Sequence, residues 1–186
     1  MKLARLILRT VVGSFFVGHG TQKLFGWFGG HGLDATAGMF ESLGLRPGKR
    51  HATAAGLAET AGGAGILLGA ATPLSSSVLI ATMLTAIHRV HLKNGPWTTN
   101  GGYEYNLVLI AAAAMLAETG PGKPSVDAAL GIQKSGTQWG LLALLLGAIG
   151  AAGANAAANA APEPEPDSQD EQASTAASAS ETESAA

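Results

Sequence analysis

TAGGAGILLGAATPLSSSVLIATMLTAI, residues 60–87, carries no charged side chain. Thr72-Pro73 divides it, because proline lacks the amide that a continuing helix needs. The stretch therefore reads as two apolar helices joined by a tight turn, from about Ala52 to Ala71 and from about Leu74 to Leu92. Each is close to the ~20 residues that cross a bilayer. A buried helix of a soluble protein would show a polar face of Lys and Glu, and these do not.

Outward from this pair, the same pattern recurs. Leu6 to Phe28 is apolar, and so is Tyr105 to Ala117, which reaches spanning length only with its ends at Gly101 and Thr119. Thr137 to Ala161 carries no charge; its first half, Trp139-Gly-Leu-Leu-Ala-Leu-Leu-Leu-Gly, is strongly apolar and its second half is Ala, Gly and Asn. Lys2, Arg5 and Arg9 resemble the start of a secretion signal. No Ala-x-Ala site ends the run that follows, which leads into His19, Gln22 and Lys23, so it reads as a retained first helix.

Between these segments, residues 29–50 read as a Gly-rich loop, Asn94-Gly95-Pro96 as a turn, and Gly120-Pro121-Gly122-Lys123-Pro124 as a firm helix stop. The expected fold is all-α. It is an integral membrane four-helix bundle over residues 1–130, with a candidate fifth transmembrane helix over 137–158 and a disordered tail rich in Ala, Ser, Glu and Pro over 159–186.

Charge is segregated. Residues 162–186 hold seven acids and no Lys or Arg, whereas residues 1–161 hold eleven basic and six acidic side chains, giving −7 and +5. Basic loop residues divide evenly, with Lys2, Arg5, Arg9, Lys123 and Lys134 on one side and Arg46, Lys49, Arg50, Arg89 and Lys93 on the other. Loop charge therefore sets no orientation. The chain has no cysteine, which excludes disulfides and thiolate-held metal centres. No phosphate-binding loop, nucleophile elbow or basic stripe points to nucleotides, hydrolysis or nucleic acid.

Helix periodicity puts Arg5, Arg9, His19 and Lys23 on one arc of the first helix. Alternating helix directions then bring His19, Lys23, Glu59, His88, Arg89, His91 and Glu104 into one half of the membrane, whichever way the chain is oriented. With Arg9 on the same arc, these eight form the candidate polar intramembrane cluster, since charges facing lipid are expensive. Glu59, inside a span, either pairs with Lys23 or is held neutral by hydrogen bonds. His88-x-x-His91 has metal-like spacing but no supporting Cys or Asp, and no metal is expected. Gly62, Gly63, Gly65 and Gly69 read as helix-packing positions, the last two at GxxxG spacing, within the bundle or in a homo-oligomer.

Three blocks together resemble the DoxX family of small bacterial membrane proteins. These are Arg9 through Gly18-His19-Gly20-x-x-Lys23; Glu59-x-x-Gly62-Gly63 leading to Leu67-Leu68-Gly69; and His91, Asn94-Gly95 and Gly101-Gly102-Tyr103-Glu104-Tyr105, followed by Gly120-Pro121-Gly122 and Ser125-x-Asp127. The resemblance implies a four-helix bundle in the cell membrane. Some relatives are subunits of a thiosulfate:quinone oxidoreductase, and others belong to membrane complexes handling oxidative stress. It therefore implies a subunit of a redox-linked membrane complex, with quinone as the candidate cofactor and lipid and protein partners around it. The segment after Asp127 departs from the family pattern. The residues alone leave two other classes open: a non-catalytic scaffold, and a small-solute or anion carrier.

Overall fold

A computed structural model describes residues 2–161. The described residues are all-helical, with α1 at Lys2–Phe25, α2 at Gly32–Ser42, α3 at Gly48–Leu68, α4 at Thr72–Ala86, α5 at Glu104–Thr119, α6 at Val126–Ala129 and α7 at Thr137–Asn159.

α1 and α3 lie antiparallel and close. The approach rests on glycines seven residues apart on each helix: Gly13 faces Gly63 and Leu67, while Gly20 faces Gly56 and Thr60. A Cβ on Gly20 would stand 2.6 Å from the Gly56 carbonyl oxygen, so no side chain fits between the backbones. Gly62 packs on Leu79 of α4 and Gly65 on Ser75 of α4. Gly69 does something different from its neighbours. At φ 65° it ends α3 in the left-handed conformation that glycine adopts without strain. The Gly65/Gly69 spacing is thus one packing contact and one helix stop, not a docking face.

α3 turns into α4 through Ala71, a non-glycine residue at φ 44°. Its conformation is held by the buried Asp127, whose carboxylate accepts from Ala71 N (2.7 Å), Thr72 N (3.1 Å) and Thr72 Oγ1 (2.9 Å). These are the unsatisfied amides of the α4 N-terminus, capped by a residue from a distant loop. α4 packs between α3, α5 and α7. One core cluster joins Val12, Phe16, Ile66, Leu79, Met83 and Leu116; a second joins Ile80, Ala113, Ala117 and Ala143 of α7.

Two expectations change. The segment expected to be a Gly-rich loop contains α2, an eleven-residue helix. Glycines at 29, 30, 32 and 38 hide it, although Asp34 in its first turn suits the positive end of a helix dipole. The third apolar segment does not stay α-helical: Ile87–His91 is a π-helical turn. α7 ends at Asn159, where the expected tail starts, and residues 162–186 lie outside the described residues.

Large apolar side chains face outward. Leu3, Ile7, Val11 and Phe15 form an exposed stripe at four-residue steps on α1, as do Leu141, Leu145 and Ile149 on α7. Inside sit Thr72, Ser75, Ser76, Ser77 and Asn106. Among the described residues, one helix, Thr137–Asn159, is long and apolar enough by itself to cross a membrane.

Candidate ligand cavity and its ion pair

At one end of the bundle, α1, α3, α4, α5 and α7 enclose a cavity of about 640 Å³, covered by α2. Ala54, Ala55, Ala58, Val78, Ala81 and Met83 make its walls, with Gly150 and Ala154 of α7 on one side. Met39, Phe40, Leu43 and Leu45 descend from α2 and the turn after it. α2 is fastened by Glu41, whose carboxylate accepts from Gly48 N, and Lys49 pairs with Asp34 at 3.0 Å.

The polar part of the wall is an ion pair. Lys23 Nζ donates to Glu59 Oε2 at 2.6 Å, with side-chain exposures of 23% and 7%. The pair crosses the α1–α3 contact one turn beyond Gly20, so the glycine approach is what brings these short-range partners together. Lys23 also reaches the His19 carbonyl at 3.5 Å, and His19 Nδ1 is hydrogen-bonded to Gln22 Oε1 at 3.0 Å.

The eight residues of the expected cluster separate into three groups. His19, Lys23, Glu59, Arg89 and His91 line the one cavity. His88 and Glu104 lie at the same end but outside it: His88 is exposed, and Glu104 accepts from Thr98 N at 3.0 Å, fixing the loop before α5. Arg9 is a correction. It shares the azimuth of Lys23 but not its depth, since fourteen residues of helix separate them by about 21 Å. Its Nη1 and Nη2 donate to the carbonyls of Pro121 (2.8 Å) and Pro124 (2.6 Å), and Arg5 Nη1 donates to Thr119 O at 2.5 Å. These arginines lock the α5–α6 connection at the far end.

Arg89 is set by the π-helical turn, a feature common at functional sites because it re-aims side chains. Its Nε donates to Asn155 Oδ1 (2.5 Å) and its Nη2 to Asn159 Oδ1 (2.8 Å), tying α7 to the cavity wall. His91 Nδ1 meets Gly101 O at 2.7 Å. Among the described residues, no three His, Asp or Glu side chains gather as a metal site.

Sequence reasoning missed His51, Asn106 and Asn155. Asn106 had a readable signal, being the one amide in the apolar run of α5; it is buried, and its Nδ2 approaches Met83 Sδ at 3.5 Å. Asn155 had none, because it sits in an Ala-rich stretch whose composition favours disorder.

The DoxX family model matches residues 4–92. Over these residues the chain is similar to the DoxX family. The match takes in α1 to α4 and the π-helical turn, and so Lys23, Glu59, Arg89 and His91; α5 to α7 lie beyond it. The DoxX likeness points to a membrane protein. No curated protein and no solved structure matches the chain.

Proposed function

We propose that this DoxX-like chain is a multi-pass membrane protein whose cavity binds a quinone, as the membrane subunit of a redox or oxidative-stress-linked complex in the cell membrane. The outward stripes on α1 and α7, over an interior of Ser, Thr, Ala and Gly, support a lipid environment, because helices in lipid pack through small residues and give their large side chains to the acyl chains. α3 and α7 have 21 and 23 residues, and α4 with its π-helical turn runs from Thr72 to His91. At ~1.5 Å per residue these lengths match the ~30 Å hydrocarbon layer. Trp27, Phe28 and Trp97 are exposed at the cavity end and Trp139 lies at the other, where a membrane protein places its interfacial aromatics.

One observation carries the quinone reading: an apolar cavity of about 640 Å³ with the Lys23–Glu59 pair on its wall. The apolar walls fit a flat ring, and Lys23, His19 and His91 present nitrogens on the cavity side. Glu59 fixes the ammonium of Lys23, which keeps one N–H beyond the ion pair and the His19 carbonyl contact for a carbonyl oxygen. A quinone, when bound, supplies the two-electron acceptor. With no cysteine in the chain, thiol or sulfur chemistry would come from a partner subunit.

Purification in mild detergent followed by solvent extraction tests this reading. Quinone is expected in the wild-type extract and depleted in Lys23→Met and Glu59→Gln. A folded wild type that retains no native or added quinone overturns it.

A further inference from the structure

A second hollow, of about 600 Å³, lies on the outer side of α1. Ser14, Val17, Gly18 and Phe28 line it, with Leu67 of α3. Phe15, His19 and Tyr105 belong to both hollows. The two hollows therefore adjoin across these side chains between α1 and α5, helices that touch each other only sparingly. Phe15 is 62% exposed and Tyr105 53%, so the side chains at the junction stand in the opening and are not packed behind it.

We infer that this outer hollow is a groove for a prenyl tail, and that Phe15, His19 and Tyr105 frame a lateral portal from the bilayer into the cavity. The inference rests on the quinone reading and adds the part of the ligand that reading leaves unplaced. A cavity of about 640 Å³ holds a head group and the first part of a tail, since pockets of ~300–1,000 Å³ hold compact, drug-sized molecules. A long tail must leave the cavity. In a membrane-spanning bundle the α1–α5 opening delivers it directly among acyl chains, and the groove beyond is largely apolar, with Val17, Leu67 and Phe28 along it. Lys23 and Glu59 line only the inner cavity, so a head group that passes His19 at the portal reaches the ion pair last.

Gly18 makes the test clean. A Cβ there meets nothing within 4 Å, so a larger side chain fills the groove without disturbing the bundle. Gly18→Leu and, one turn earlier, Ser14→Leu are compared with wild type after gel filtration in mild detergent, using a long-chain ubiquinone and the tail-less ubiquinone head group as probes. Retention of the long-chain probe is expected to fall about tenfold in both variants, while the tail-less probe is held as in wild type. Equal loss of both probes, or loss of neither, overturns the groove while leaving the quinone site standing. A wild type that holds neither probe removes the quinone site and the groove with it. A wild-type dimer that Gly18→Leu converts to monomer would instead make the hollow a helix–helix interface, and the inference fails.

Discussion

The Lys23–Glu59 pair offers a quantitative test, because its two ends sit in different surroundings. At 2.6 Å the gross attraction is about 6 kcal/mol for an effective dielectric of ~20, most of it offset by desolvation of the two charges. The exposures of 7% for Glu59 and 23% for Lys23 make the single substitutions unequal. Lys23→Met strands a carboxylate whose one ion-pair partner among the described residues is Lys23, and is expected to cost about 3 kcal/mol, the lower end for a broken buried pair. Glu59→Gln leaves an ammonium on a flexible stem that can turn toward the cavity opening, at a cost nearer ~1–2 kcal/mol. The double variant strands neither charge, so it should be more stable than the two losses together imply, by about 2 kcal/mol. Reversible unfolding of the four proteins in mixed micelles reads all three quantities. Losses that add within ~0.5 kcal/mol would show that the two side chains do not depend on each other, and the site would lose its anchor.

Three further outcomes follow from the geometry. Gly20→Ala and Gly63→Ala each press a methyl group onto backbone atoms 2.6–2.8 Å away and should cost about 1–3 kcal/mol in thermal or denaturant unfolding, whereas Gly38→Ala, in open space on α2, should be neutral or stabilising by up to ~1 kcal/mol. Asp127→Ala removes the acceptor for three donors at the start of α4 and should destabilise by about 2–4 kcal/mol, with the loss appearing also as protease sensitivity at the Gly69–Thr72 turn; an unchanged melting curve would refute the capping role. Because the chain has no native cysteine, single cysteines report sidedness without background: Lys49→Cys and Lys93→Cys should react with an impermeant maleimide from one face of the membrane and Lys134→Cys from the other, and labelling of all three from one face contradicts a multi-pass arrangement.

The sequence made most of the helices legible and fewer of the contacts. The apolar runs marked α1, α3, α4, α5 and α7 because composition and length act locally. Lys23 and Glu59 could be placed at one depth by counting residues from the ends of antiparallel helices, and Arg89 and His91 likewise. Azimuth alone misassigned Arg9, whose arc on α1 matched while its height did not. α2 was hidden because glycine lowers helix propensity residue by residue, whereas its formation depends on packing over the cavity and on fastening through Glu41 and Lys49. The π-helical turn left no trace in composition. Asp127 was visible as a residue but not as a cap, since its donors lie more than fifty positions earlier in the chain.

A side-chain ion pair sets the cavity end of the bundle apart from the far end, and this difference argues for where a ligand would bind. At the far end, Arg5 and Arg9 give their N–H groups to main-chain carbonyls, and Asp127 takes main-chain amides together with the Thr72 hydroxyl. Those groups close turns, and their bonding capacity is directed at the fold. At the cavity end, Lys23 and Glu59 bond side chain to side chain, leaving N–H capacity on Lys23, and His19 and His91 each use one ring nitrogen in the contacts that place them. α7 strengthens the contrast. It lies beyond the DoxX match, yet Gly147 lets it approach Ile80 and Ser77, and its two asparagines occupy Arg89. A helix that only anchored the chain would not need polar groups matched to a cavity residue, so α7 is part of the wall that shapes the site.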